Sequence, residues 1–283
     1  MIMSKTSRPF TVVSYGGGTN STALLVGLRE RGLRPDAITF ADTGGEKPNT
    51  YLHLEVMQNW CNQVGFPPIE VVRADSPMNR VDQTLEGECL RLGKLPAKAY
   101  GFSSCSGTWK IRPQDKWDKQ FAKSRGVSKR EITRLIGFDA DEHARVARAK
   151  AHAESRPVRQ EYPLYEWGWG REECIEAIQR AGLPLPGKSS CFFCPASSKA
   201  QILWLRQKYP DLMLRALEIE RKALSAEGPA PPTTVAGLGR RLNWSRFLSE
   251  IDAMSDEERQ RVCNRKVFIE VQTIEEDCGC YDG

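Results

Sequence analysis

Nine cysteines and one glycine-rich run are the residues of this 283-residue chain best suited to do chemistry. Cys191 and Cys194 form a C-x-x-C within Ser189-Ser190-Cys191-Phe192-Phe193-Cys194-Pro195, and Cys278 and Cys280 form a C-x-C near the end of the sequence. Sulfurs this close in sequence point to a metal ion, an iron–sulfur cluster or redox chemistry more than to packing. Cys61, Cys89, Cys174 and Cys263 have no such pattern and read as small buried apolar residues; Cys174 sits in the helical pattern Arg171-Glu172-Glu173-Cys174-Ile175. The odd total and irregular spacing do not fit the disulfide scaffold of a short secreted domain.

The glycine run is Ser14-Tyr15-Gly16-Gly17-Gly18-Thr19-Asn20-Ser21-Thr22, and it joins a predicted strand to a predicted helix. Glycines without a Cβ let backbone N–H groups come close to an anion. A helix start adds free N–H groups and a partial positive charge. Asn20 and Ser21 are capping residues. The run lacks the Gly-Lys-Ser/Thr of a Walker A loop and the G-x-G-x-x-G of a dinucleotide fold. Taken by itself it also fits a tight strand-to-helix turn.

The elements around the run alternate. Phe10 to Tyr15, Ala37 to Phe40, Ile69 to Val72 and Ile132 to Phe138 read as strands, and Ser21 to Arg31 and Tyr51 to Val64 as helices. Strand–helix alternation predicts an α/β fold: a parallel sheet with helices on both faces, ligands lying beyond the carboxyl ends of the strands. Beyond Pro157, aromatics, prolines and cysteines cluster. Two more helices are expected over Asp211 to Ala226 and Trp244 to Val262, separated by Gly228-Pro229-Ala230-Pro231-Pro232. The expected division is a nucleotide-binding domain over 1–160 and a smaller helical, cysteine-bearing region over 161–283.

Charge is uneven. The chain carries a net +5, but 14 Lys and Arg against 7 Asp and Glu fall between Lys110 and Arg159. That stretch is either a solvated helical face or a surface for phosphates. No apolar run approaches the ~18–20 residues of a membrane span, and Met1 to Phe10 lacks an apolar signal core. The expected setting is cytoplasmic, with no membrane partner. His143 follows Glu142 and reads as a proton carrier or a surface residue; His53 and His152 read as structural. Trp167 and Trp169 read as core aromatics and Arg240-Arg241 as a solvated helix end.

Five segments, in order, carry a resemblance. Gly16-Gly17-Gly18-Thr19-Asn20-Ser21 resembles the S-G-G-x-D-S pyrophosphate loop of the ATP pyrophosphatase superfamily (adenine nucleotide alpha hydrolase-like), with Gly16 for the first serine and Asn20 for the aspartate. Asp42-Thr43-Gly44 with Pro48-Asn49-Thr50-Tyr51 resembles the D-T-G…P-E-T of its phosphoadenosine phosphosulfate (PAPS) reductase branch. Cys105…Lys110…Pro113 resembles C-C-x-x-R-K-x-x-P, with Ser106 and Trp109 at the second cysteine and the arginine. Gly137 to Arg145 resembles G-I-R-x-x-E-S-x-R, with Asp139 at the arginine and Glu142 and Arg145 in place. Tyr162-Pro163-Leu164, Trp167, Leu183-Pro184 and Cys191-x-x-Cys194-Pro195 resemble P-L…W…L-P…C-x-x-C. The resemblance covers about residues 10 to 200.

The resemblance to the PAPS reductase family implies an enzyme of sulfur chemistry. It implies an adenine nucleotide bound by Ser14, Gly16, Gly17, Gly18, Thr19, Asn20, Ser21, Asp42, Thr43, Gly44, Gly137, Glu142 and Arg145. It also implies a 4Fe-4S cluster on Cys105, Cys191 and Cys194, with Lys110 beside the thiolates as a catalytic residue. Three ligand sets stay open: one open iron, a fourth ligand from Cys278 or Cys280, or zinc on Cys191, Cys194, Cys278 and Cys280. Two reactions stay open as well. One is ATP-dependent sulfur transfer to a tRNA, DNA or small-molecule acceptor, with Mg2+ accompanying the nucleotide. The other is reduction of a sulfonucleotide (PAPS or its unphosphorylated relative) to sulfite by an external electron donor, with Cys278 or Cys280 as tail nucleophile. A zinc-bearing nucleic-acid-binding module is the reading of a different class. The oligomeric state is open, a homodimer among the options.

Overall fold

The computed structural model describes residues 8–75, 82–102, 104–152, 156–225, 235–255 and 257–258. Cys263, Cys278 and Cys280, the Gly228 to Pro232 turn and the far end of the helix expected up to Val262 lie outside the described residues.

Five strands form one sheet: β1 (Phe10–Tyr15), β2 (Ala37–Asp42), β3 (Ile69–Arg73), β4 (Ile132–Ile136) and β5 (Arg159–Glu161). Their order is β3-β2-β1-β4-β5 and every pairing is parallel, as the strand–helix alternation predicts. Four strands fall where the apolar runs place them. β5 is three residues, Arg-Gln-Glu, with no apolar signature, which is why a periodicity reading passes over it. The chain steps one way from β1 to β3 and the other way from β4 to β5. The switch point lies between β1 and β4, where Ser14 pairs with Ile136, and a crevice opens there at the carboxyl ends.

Strand side chains alternate between the two faces. Val13 and Tyr15 of β1 join Ile38, Phe40 and Leu135 under helices α1 (Thr19–Glu30) and α2 (Pro48–Gln63). Leu164, Cys174, Ala177 and Ile178, the last three on a later helix over Arg171–Arg180, belong to that same apolar cluster. Val12 points the other way, into a smaller cluster with Ile132 and Ala122. That face is covered by the helix over Arg112–Arg125, which continues a π turn at Gly107–Ile111 and a helical turn at Ser104–Ser106.

A second large apolar cluster is built mostly from described residues outside the sheet. It joins Leu85 and Cys89 of a helix over Leu85–Leu92, Trp109, Phe192 and Phe193, and three further helices. In chain order the remaining helices are α3 (Leu85–Leu92), α4 (Arg112–Arg125), α5 (His143–Ala151), α6 (Pro163–Glu166), α7 (Arg171–Arg180), α8 (Lys199–Lys208), α9 (Pro210–Leu224) and α10 (Trp244–Asp252). α9 and the start of α10 fall where their patterns predict. Cys61, Cys89 and Cys174 are each fully buried, as packed thiols should be. Among the described residues no helix is long and apolar enough to cross a membrane.

Candidate functional site

The glycine run turns the chain from β1 into α1. Gly18 caps the helix in extended conformation, so the helix begins at Thr19, two residues before the apolar pattern starts. The Ser21 hydroxyl accepts from the Gly18 N–H (3.2 Å) and donates to the Gly18 carbonyl (3.0 Å), closing the first turn. Gly17 sits at φ +77°, and a Cβ there would lie 2.9 Å from Thr50 Cγ2. Both facts require glycine. Across the switch point, a Cβ on Gly137 would lie 2.9 Å from the Asn20 carbonyl, so the end of β4 presses directly on the loop.

A cleft of about 290 Å³ opens beside this loop. Ser14, Gly16 and Ser21 line it from β1 and α1, Thr43 from the end of β2, and Gly137 and Arg145 from beyond β4. Cys105, Lys110, Cys191 and Cys194 line the same cleft. So do Lys98 and Lys188, which carry no motif and which the sequence reading did not single out.

The three cysteines come from two segments, and each is half-buried. Cys105 lies in the turn ahead of the π-helical stretch. Cys191 and Cys194 bracket one turn, in which the Cys194 N–H donates to the Cys191 carbonyl (3.0 Å). That turn is held against the loop after β2. Cys191 bridges to Glu46, the Phe192 N–H donates to the Gly45 carbonyl (2.9 Å), and the Thr43 hydroxyl meets Cys191 Sγ at 3.2 Å. Thr43 thus ties the D-T-G segment to the C-x-x-C while lining the cleft.

Lys110 reaches into this junction and pairs with Glu46 at 3.0 Å. Burial works against its charge, but the Glu46 carboxylate and the nearby Cys191 and Cys194 sulfurs outweigh it and hold its pKa above the usual lysine range. Burial pushes the Cys191 thiol up, and Glu46 adds to the push. Lys110 and the Thr43 hydrogen bond oppose it only in part. Glu46 itself is buried, with Oε2 lacking any hydrogen-bond partner.

Several residues of the resemblance serve the scaffold. Asp42 is 3% exposed; its carboxylate accepts from the Gly44 N–H, the Tyr51 hydroxyl (both 2.8 Å) and the Arg73 guanidinium (2.9 Å). Asn20 donates to Asp139 (2.9 Å) and Glu142 (3.3 Å), and its carbonyl accepts from Arg171 (3.2 Å). Glu142 in turn holds Arg145 at 2.6 Å, and the Arg145 guanidinium stacks 4.3 Å above the Phe138 ring. This chain of contacts aims Arg145 at the cleft. Thr19 is buried in the first turn of α1, its hydroxyl without a partner. Trp109, standing for an arginine, is buried in the second apolar cluster and donates to Glu88 at 3.0 Å.

One network escaped the sequence reading. Arg134, in the otherwise apolar strand Ile-Thr-Arg-Leu-Ile, is buried and bidentate on Asp118 of α4 (2.9 and 2.8 Å). Its Nη1 also donates to Ser14 (2.9 Å), Thr39 (3.0 Å) and Gln114 (2.7 Å). Ser14 is therefore held by Arg134 and Gln114, though it lines the cleft. The network fixes α4, and with it the turn bearing Cys105 and Lys110, to β1, β2 and β4. The signal was there: a charged residue inside an apolar strand must find a buried partner. The other histidines behave as expected. His53 is buried against the Thr22 hydroxyl (3.1 Å) on α1, and burial pushes its pKa down to about 4. His143 is exposed and meets the Tyr165 hydroxyl at 3.2 Å.

Among the described residues, no three His, Cys, Asp or Glu side chains are grouped to hold a single metal ion. Three thiols around one cleft are nonetheless soft donors, which suit zinc or an iron–sulfur cluster better than a hard cation.

No protein-family model matches the chain, and no curated protein matches it. Among solved structures, the chain is similar to the U34-tRNA thiolase NcsA from Methanococcus maripaludis with its 4Fe-4S cluster. The two are 15% identical, the match covers 74% of this chain and 70% of that one, and the TM-score is 0.43.

Proposed function

We propose that the chain is an ATP-dependent sulfur-transfer enzyme that modifies a nucleic acid. The observation that carries this reading is the shared cleft: the glycine loop and Cys105, Cys191 and Cys194 face one space, with Lys98, Lys110, Arg145 and Lys188 around it. Backbone N–H groups at a helix start suit a pyrophosphate, which ATP has and a sulfonucleotide lacks.

In this reading Gly16 to Ser21 hold the β- and γ-phosphates of ATP, and Arg145 steadies the α-phosphate. An acceptor oxygen attacks the α-phosphorus, the α–β bond breaks and pyrophosphate leaves. A sulfide-level sulfur donor then displaces AMP, so the acceptor exchanges oxygen for sulfur. Cys105, Cys191 and Cys194 would hold a 4Fe-4S cluster at the cleft, which supplies a soft site for sulfur when bound. Lys110 stays charged beside the thiolates and offsets their negative charge, while Glu46 keeps its ammonium in place.

The test is turnover under anaerobic conditions with ATP, inorganic sulfide, and transfer RNA or DNA. AMP and pyrophosphate should form in step with sulfur in the nucleic acid. Sulfite release from a sulfonucleotide with no AMP would replace this reading by the reductase one. A colourless protein carrying one zinc per chain would overturn the cluster.

A further inference from the structure

A second cavity, roomier than the cleft just described, lies elsewhere among the described residues. About 560 Å³ of space lies between α2 and α8, walled by the Pro184 to Gly187 segment. Three lysines line it, Lys47, Lys188 and Lys208, and no lining residue among those described is an Asp or Glu. His53 also lines it and is neutral at working pH, because burial holds its pKa near about 4. The charged side chains described at its wall are therefore all lysines. It also carries aromatic surface: Trp204 and Tyr209 meet edge to face with centroids 5.5 Å apart. Lys47 is 4% exposed; its ammonium donates to the Lys188 carbonyl (3.3 Å) and stands 5.6 Å from the Trp204 ring centre. Asn49 contributes an amide whose Oδ1 is buried without a hydrogen-bond partner. Leu52 at the rim is 62% exposed and Lys208 is exposed, so the mouth is open to solvent.

Lys188 lines this cavity and the cysteine-bearing cleft alike. A ligand seated here would adjoin the reacting centre. Cations for a phosphate backbone beside aromatic rings for a base are the two parts of a single-strand binding site, and such sites need no base-specific contacts. A small apolar metabolite would make no use of Lys188 and Lys208 at the wall.

We infer that the cavity between α2 and α8 is a substrate subsite that takes one nucleotide unit of a single-stranded nucleic acid, its base against Tyr209 beside the largely buried Trp204 and its phosphate on Lys188 and Lys208. The inference rests on the proposed function for the chemistry that follows, but binding can be measured without turnover.

The experiment uses the full chain, a labelled single-stranded oligonucleotide, AMP as the free nucleotide, and ATP as the probe of the glycine loop. Lys208→Glu and Tyr209→Leu are compared with the parent, and far-UV circular dichroism checks that each variant folds. Each change should weaken oligonucleotide binding about tenfold at low salt, with a flatter salt dependence for Lys208→Glu. ATP affinity should stay within about twofold of the parent, since neither residue touches the loop. Ultraviolet cross-linking should attach the strand to the segment holding Trp204 and Tyr209. Oligonucleotide affinity unchanged in both variants would overturn the inference. So would AMP binding at this cavity with no preference for the strand, which would make it a free-nucleotide site. Loss of ATP binding in the parent would instead count against the proposed function and leave the strand measurement standing by itself.

Discussion

Asn20 Nδ2 lies 2.9 Å from Asp139 Oδ2, so two of the positions where this chain departs in charge from the pattern it resembles are bonded to each other. Where the pattern has an aspartate and an arginine, this chain has an amide and a carboxylate. Here the amide donates and the carboxylate accepts, tying the loop to the segment beyond β4. Among the described residues, Arg145 is the arginine that lines the cleft.

That relationship makes Asn20→Asp destabilising although it restores the residue of the pattern. A third carboxylate would face Asp139 and Glu142, and the buried hydrogen bond would be lost. The expected cost at neutral pH is roughly 2 kcal/mol. Asp139 already has its pKa raised, by burial first, with the Asn20 amide opposing. A carboxyl raised in the folded state binds its proton more readily folded than unfolded. The cost of Asn20→Asp should therefore shrink as pH falls through the carboxylate range. Urea unfolding across pH measures it; a cost independent of pH would argue against the contact.

The glycine run makes a sharper distinction between neighbours. Gly16→Ala meets only Ser21 Oγ, at 3.8 Å, and the fold should tolerate it. Gly17→Ala needs a left-handed backbone and crowds Thr50, so about 1–2 kcal/mol of stability should go. Thermal unfolding separates the two. Isothermal titration with ATP should still show weaker binding for Gly16→Ala, because its methyl occupies the surface that faces the phosphates.

Much of this could be read in the sequence, and the exceptions have physical causes. β1 to β4 announce themselves through runs such as Thr-Val-Val and Ile-Thr-Phe, and their ends coincide with the motifs. β5 is three polar residues and becomes a strand only because β4 offers it a partner edge. The cleft residues Lys98 and Lys188 lie far apart in the chain and meet only through packing of the second apolar cluster. Asp42 and Ser14 stand inside motifs that suggest ligand contact. Yet Arg73 and Arg134 reach them from other strands, and no local spacing reveals that.

Arg134→Leu tests the network that holds α4. Removing the guanidinium strands the Asp118 carboxylate, whose side chain is fully buried, and about 3–5 kcal/mol should be lost. The double change Arg134→Leu with Asp118→Leu should recover most of it, since the uncompensated charge is gone. Chemical denaturation of the three variants gives the cycle. Recovery of stability without recovery of turnover would mark the pair as positioning Lys110 and Cys105.

His53 predicts a pH dependence of a different sign. Its folded pKa of about 4 lies below the ordinary 6.5, so the unfolded chain takes the proton first as pH falls. The stability is complete above pH 6.5 and is lost as pH falls toward 4, by on the order of 2–3 kcal/mol. His53→Gln should flatten that part of the curve. A ring that titrates near 6.5 by nuclear magnetic resonance would contradict the burial.

If the glycine loop and the cysteines serve one space, a nucleotide on the loop lies beside the cluster. Pulsed electron paramagnetic resonance on the anaerobic, reduced protein with ATP bound measures that proximity. The expected result is a cluster signal that carries hyperfine coupling to the phosphorus of the nucleotide, and loss of that signal in Cys191→Ser and Cys194→Ser. A cluster signal with ATP bound and no phosphorus coupling, or a reduced protein with no cluster signal at all, would contradict it.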